Sequence, residues 1–244
     1  MPVLHVIVPC YNEPQTLRPC IDRIRSAHLP DGWESLICLV DDCSEPTTAK
    51  IADELAAEDE RITLIRHQQN MGKGAAIQTA CHAVIEHAAP NDLAIIQDAD
   101  LEYNPDDFAL LIDAIQEQDA DAVFGDRFAN GTLPSPMGFL HTKVNRGLTH
   151  ISNWLTGLQV ADMECCYKLI RIPMLIRILP ELRENRFGIE PQIAAALGRA
   201  NAQIENVVVS YAPRGFDEGK KIGLSDGLRA LYIVFHERLR GGTR

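Results

Sequence analysis

Five short apolar runs, rich in β-branched residues, recur through the first half of the chain at residues 4–8, 36–40, 62–65, 93–96 and 122–124, with helix-like stretches between the first four. Runs that are apolar throughout, rather than alternating, suit strands covered on both faces. Strands alternating with helices predict an α/β fold built on a mostly parallel sheet flanked by helices. In such sheets ligands gather at the carboxyl ends of the strands, so the segments after each run are the ones to read. Those segments are polar: "PCYNE", "DDCSE", "QDAD" and "GDRF".

Composition narrows the function class. With 46% hydrophobic and 23% charged residues the chain folds, and a formal net charge of −11 excludes a broad nucleic-acid footprint. Phosphate, where bound, must be met by local groups. The seven cysteines form no CxxC pair and several sit in apolar runs, which predicts reduced packing thiols rather than disulfides or zinc ligands. The opening "MPVLHVIVPCYNE" lacks a basic leader and reads as a strand. No stretch approaches the roughly 20 apolar residues needed to span a bilayer.

The pair Asp98 and Asp100 closes the fourth run. Two carboxylates held at a sheet edge offer hard oxygen ligands to Mg2+ or Mn2+, which would complete its shell with water and diphosphate oxygens; the same residues are also ordinary turn formers. Asp41 and Asp42 close the second run, where an acid accepts hydrogen bonds from a base or ribose or else caps a helix. Tyr11, Asn12 and Glu13 are placed to wall the same base. "GKG" at residues 72–74 is not a Walker A loop, because Lys73 is followed by Gly74 and the upstream glycine is missing; GxGxxG and HExxH are missing too. The glycines instead open a helix expected from Ala75, with Ala76, Ala80, Ala83, Val84 and His87 on one face.

In the second half Leu140, Val144, Leu148, Ile151, Leu155 and Leu158 form a helical stripe over one or two helices. It is read either as core-facing or as a membrane-surface helix carrying Trp154 at the interface. "DMECCYKLIRI", a proline-rich helix, "FGIEPQIAAALGRA", a strand in "IENVVVSYAPR" and a last helix from about Ser225 follow. Between the last two, "YAPRGFDEGKKIG" concentrates Arg214, Lys220 and Lys221 on a glycine-rich segment. It is either a lid that closes on a diphosphate or a solvated loop.

Taken in order, "VIVPCYNE", "VDDCSE", "GKGAA", "QDADLEY", "DMECCYK" and "RGFDEGKKIG" resemble the family 2 glycosyltransferases over almost the whole chain, and more closely the polyprenyl-phosphate hexosyltransferases of the dolichyl-phosphate mannose synthase and undecaprenyl-phosphate glucosyltransferase type. The resemblance implies a GT-A fold in one domain, residues 1–244, with a nucleotide-sugar-binding half at 1–128 and an acceptor-binding half with a closing loop at 129–244. It implies inverting, metal-dependent transfer of mannose or glucose, from GDP-mannose or UDP-glucose, to a dolichyl or undecaprenyl phosphate. By position it assigns Pro9, Tyr11, Glu13 and Asp42 to the nucleotide, and Asp98, Ala99 and Asp100 to the metal and diphosphate. Arg127 is assigned to the donor or acceptor phosphates, Arg214 and Lys220 to the closing loop, and Arg146 and Lys221 to the acceptor phosphate. Asp100, Arg127, Arg214 and Lys220 are the expected catalytic residues, and Glu190 is either a sugar contact or a buried structural acid.

Two departures stand out. Glu102 replaces the glutamine of many relatives and is a candidate third metal ligand; Asp126 stands where serine or threonine is common, beside Arg127. A chain of this form is expected at the cytoplasmic face of a membrane, docked peripherally or through a separate anchoring protein. A family 2 enzyme with a hydroxyl acceptor would need a base near the anomeric carbon, and no convincing Glu-Asp pair follows "DMECCYK". A sugar nucleotidyltransferase would need a glycine-rich opening that is missing. A binding protein without turnover is the remaining alternative, which nothing in the retained acids and basic loop requires.

Overall fold

The computed structural model describes residues 1–129 and 139–213, with residues 229, 232, 233 and 235–237 in the C-terminal part. Arg214, Lys220 and Lys221 lie outside the described residues. All five apolar runs are strands: β1 (Val3–Cys10), β2 (Glu34–Asp41), β3 (Ile62–Arg66), β4 (Leu93–Ile96) and β5 (Ala122–Asp126). Two more follow, β6 (Lys168–Arg171) and β7 (Ile204–Val208), and the seven form one sheet in the order β3-β2-β1-β4-β6-β5-β7. Strands β1 to β4 pair in parallel, as do β5 and β7, but β6 runs antiparallel to both its neighbours, with Ile170 opposite Ala94 and Leu169 opposite Val123.

β6 is the element that the run pattern did not single out. Its four residues merge into the apolar start of the helix that follows, so length alone cannot separate strand from helix there. The consequence for the site lies in the order of the other strands. From β1 the chain steps outward to β2 and β3, then returns to place β4 on the opposite side of β1. That reversal falls between β1 and β4, and the carboxyl ends of strands at such a switch point are where open α/β sheets hold ligands.

The helices are α1 (Leu17–Ser26), α2 (Pro46–Glu58), α3 (Lys73–Ile85), α4 (Phe108–Glu117), α5 (Phe139–Thr156), α6 (Ile172–Ile178) and α7 (Ile189–Arg199). In α1 Leu17, Cys20, Ile21 and Ile24 are buried, and in α4 Phe108, Leu111, Ile112 and Ile115; both sets follow the i, i+3, i+4, i+7 spacing of one apolar face. Helix α3 starts at Lys73, two residues earlier than expected, because Gly72 at φ 100° serves as its N-cap. Ala76, Ala80 and Val84 face the core as read, whereas His87 lies beyond the helix end and is exposed.

Helix α5 is a single helix, and its faces depart from the expected stripe. Leu148 and Leu155 are buried and Ile151 is half-buried, but Val144 is 47% exposed and Leu158 lies past the helix end. Its inward face also carries polar residues, Thr142, Asn145, Thr149 and Ser152, all buried. Trp154 points out and is 81% exposed. Of the last helix expected from Ser225, residues 229, 232, 233 and 235–237 are helical.

Candidate active site

The loop after β1 is tied to the loop after β2. Asn12 donates its backbone N–H to Ser44 Oγ at 2.9 Å, and its side-chain Oδ1 accepts the Glu45 N–H at 2.7 Å. Asn12 sits at φ 53°, a left-handed conformation that asparagine tolerates better than most residues. Pro9 is buried at the end of β1, Tyr11 is 39% exposed at the rim, and Glu13 accepts the Thr16 hydroxyl at 2.8 Å.

The two aspartates that end β2 are anchors rather than open acceptors. Asp41 takes Arg66 Nε at 2.8 Å and the Ser44 N–H at 2.9 Å. Asp42, expected to face the nucleotide, is 2% exposed and accepts the Met71 and Gly72 N–H groups at 2.8 and 2.7 Å, with His67 Nδ1 at 2.7 Å. Its carboxylate therefore holds the loop that leads into α3.

This explains the glycines of "GKG". A Cβ on Gly72 would collide with the Asn185 carbonyl, and one on Gly74 with the Glu184 carbonyl. Ala75 donates its N–H to Asn185 O at 3.1 Å. The glycines let the 184–186 backbone approach the start of α3, and Lys73 between them is aimed at the sheet edge.

There Lys73 Nζ lies 2.8 Å from Asp98 Oδ1 and 2.6 Å from Glu190 Oε1 at the N-terminal turn of α7. Burial pulls the Lys73 ammonium toward neutrality, but the charges of Asp98 and Glu190 outweigh it and hold its pKa well above the usual value. Ala99 is buried between the two aspartates, and Asp100 Oδ1 accepts the Glu102 N–H at 3.0 Å. Leu101, at φ 65°, turns the chain sharply just past the pair.

Two carboxylates spaced by one residue at this edge suit a hard cation that draws its remaining ligands from a diphosphate and water, and Lys73 already shows that the Asp98 oxygens accept a cation. Glu102 Oε2 accepts the Tyr211 hydroxyl at 2.7 Å and so holds the segment after β7.

Arg127, beyond β5, is fixed by Asp162. Its Nε and Nη2 donate to the two Asp162 oxygens at 2.6 and 2.9 Å, a buried bidentate pair. Asp126, expected beside Arg127, instead accepts the Phe128 N–H at 2.8 Å, so the acid that orients the arginine is Asp162. The Arg127 guanidinium lies 5.2 Å from the Phe128 ring centroid and that of Arg146 lies 5.7 Å from it, so both arginines meet at one aromatic ring. Arg146 also reaches the Phe128 carbonyl at 3.5 Å.

Glu164, two residues after Asp162, is the other acid that sequence reasoning passed over. Its carboxyl is pushed up to about 7, first by burial and next by the charge of Glu190, against the pull of Lys168 and Arg127. Lys73, Asp162 and Glu164 all lie inside quoted motifs. The usable signals were a lone lysine between two glycines and the acid-x-acid of "DMECC".

The model of glycosyl transferase family 2 matches residues 5–179. The chain belongs to this family. A UDP-N-acetylglucosamine–dolichyl-phosphate N-acetylglucosaminyltransferase of Methanococcus voltae is 27% identical over 197 residues, 76% of each chain. An undecaprenyl-phosphate mannosyltransferase of Micrococcus luteus is 26% identical over 218 residues, covering 89% of this chain and 86% of that one. Among solved structures, glucosyl-3-phosphoglycerate synthase from Mycobacterium tuberculosis, in complex with UDP, superposes with a TM-score of 0.68 at 17% identity, over 97% of this chain and 80% of that chain. The fold is thus GT-A, and the chain is a glycosyltransferase with polyprenyl-phosphate glycosyltransferases among its relatives.

Proposed function

We propose that this family 2 enzyme transfers a hexose, mannose or glucose, from GDP-mannose or UDP-glucose to a polyprenyl phosphate of the dolichyl or undecaprenyl type, with inversion at the anomeric carbon. The observation that carries the reading is the meeting of Arg146 with Arg127, the latter paired to Asp162, at Phe128 between the fifth strand's end and α5, which would offer an acceptor phosphate local cations in an otherwise acidic molecule. The relatives named for lipid-phosphate acceptors support it.

A phosphate acceptor simplifies the chemistry. It is already an anion near neutral pH, so no base is needed to make it a nucleophile. One of its oxygens forms a bond to the anomeric carbon as the bond from that carbon to the diphosphate oxygen breaks, and the electron pair leaves on the nucleoside diphosphate. One in-line displacement inverts the configuration.

The chain's residues then have distinct tasks. Pro9, Tyr11 and Glu13 border the nucleotide, and Arg127 and Arg146 hold the acceptor phosphate in line. Arg214, Lys220 and Lys221 would neutralise the departing diphosphate and acceptor phosphate. A divalent ion, Mg2+ or Mn2+, held by Asp98 and Asp100 would add Lewis-acid stabilisation of the leaving diphosphate; a structure of the mycobacterial synthase is solved with Mn2+ and UDP.

No helix among the described residues is long and apolar enough to cross a membrane. Docking at the cytoplasmic face through the outer side of α5, directly or beside an anchoring protein, fits a lipid acceptor.

The test is transfer of labelled hexose from a panel of UDP- and GDP-sugars to a short-chain polyprenyl phosphate with Mg2+ or Mn2+. One donor giving metal-dependent product, reduced at least a hundredfold by Asp100→Ala, is the expected result. Donor binding with no lipid-linked product from any sugar nucleotide overturns the acceptor assignment.

A further inference from the structure

The C-terminal helix grips a short strap, residues 183–186, at two points. Arg229 Nε and Nη2 donate to the two Glu184 oxygens at 3.0 Å each, a forked pair on a buried carboxylate that also accepts the Arg186 N–H at 2.9 Å. Farther along the helix, Glu237 Oε1 accepts Gln192 Nε2 at 2.9 Å, and Gln192 Oε1 in turn accepts the Arg183 and Glu184 N–H groups at 2.7 Å each. Between the two grips Ile233 packs so closely on Gly188 that a Cβ there would collide with it.

The other side of the strap carries the start of α3. Gln78 Nε2 donates to the carbonyls of Gly74 and Glu184 at 3.1 and 2.9 Å, and Ala75 donates its N–H to the Asn185 carbonyl at 3.1 Å. At Gly72 and Gly74 backbone lies directly against the strap's backbone, with no room for a side chain between. Lys73 stands between those two glycines, with its ammonium 2.8 Å from Asp98 Oδ1. The strap is therefore the surface on which the first turn of α3 rests. A shift of the strap moves the lysine against the aspartate.

We infer that Arg229 is a positioning residue for the donor site: through Glu184 it fixes the strap under the first turn of α3, and so sets where Lys73 meets Asp98, at the edge assigned to the donor's diphosphate. The inference rests on the donor reading of the site given above and is independent of what the acceptor is. By linkage, nucleotide binding and docking of the C-terminal helix strengthen one another by the same factor.

The experiment is calorimetric titration of the full chain, without acceptor, by UDP and GDP in the presence of Mn2+. Arg229→Ala is expected to bind the preferred nucleotide about fivefold more weakly. Arg229→Lys keeps the charge but cannot fork across both Glu184 oxygens, so its affinity should fall between the two. The arginine side chain is 49% exposed, and the melting temperature of either variant should move by no more than about 4 °C. Gln78→Met removes the clip between strap and α3 and should also cost about fivefold. If both act along one route, the double variant stays within about twofold of the weaker single variant, where independent effects would multiply to about 25-fold.

Unchanged nucleotide affinity in Arg229→Ala, with or without a lower melting temperature, would make the ion pair a structural link only and overturns the assignment. So does a double variant that shows the full product. Wild-type protein that binds neither nucleotide sinks the donor reading and this inference together, whereas wild-type binding matched by the variants sinks the inference alone.

Discussion

Glu164 shows how one residue's surroundings set its chemistry. Its carboxyl rises from the ordinary 4.5 to about 7 because burial disfavours the charged form and Glu190 adds a like charge, while Lys168 and Arg127 oppose the shift and Asp162 adds to it. An acid whose folded pKa is raised holds its proton more tightly in the native state. Its contribution to stability is therefore fully present below the unfolded value and is lost as pH climbs through the folded one. Removing the ionisable group should flatten that part of the profile. Between pH 4.5 and 7.5, Glu164→Gln is expected to gain on the wild type with rising pH, by an amount bounded at about 3 kcal/mol. Urea melts of both proteins across that range read the difference directly, and parallel profiles would mean that Glu164 is not raised.

Lys73 makes the complementary point. Two acids, Asp98 and Glu190, approach one another from distant parts of the chain, and a single ammonium bridges them at the sheet edge, 2.8 Å from one and 2.6 Å from the other. Asp98 and Asp100 were legible because they sit where a buried strand ends. Lys73 and Glu190 were not legible as partners, since nothing local in "GKG" or "FGIEPQI" tells which loop will fold against which.

At the scale of elements, α5 inverts the usual distribution of polarity. Thr142, Asn145, Thr149 and Ser152 face inward, with Thr149 Oγ1 accepting the Met163 N–H at 3.2 Å, while Val144 and Trp154 face solvent beside Lys143 and His150. A stripe that mixes an indole with basic residues matches the headgroup region of an anionic bilayer. The sequence pattern offers a choice between core and interface, and the helix divides: Leu148 and Leu155 serve the core and Trp154 faces outward. Binding of the full chain to phosphatidylglycerol-containing vesicles is expected to weaken about tenfold in Trp154→Ala, from partial loss of one aromatic side chain's burial. Binding unchanged by the substitution would move the docking surface elsewhere.

For the whole molecule, strand order was the least legible property. Five strands and their parallel sense follow from apolar runs and intervening helices, but the insertion of antiparallel β6 between β4 and β5 follows from long-range pairing that no short window contains. Net charge acts at this scale too. A molecule at −11 repels every sugar nucleotide and lipid phosphate that approaches it, except over the short range where local cations dominate. Salt shortens that repulsion, since the Debye length falls from about 30 Å at 0.01 M to about 8 Å at 0.15 M. The association rate of a sugar nucleotide, followed by stopped-flow quenching of the tryptophans, is therefore expected to rise two- to threefold, roughly, over that range of salt. A rate that falls instead would show that the positive groups near the site govern approach from farther than a Debye length, and would shift the account of donor capture from the whole surface to the site.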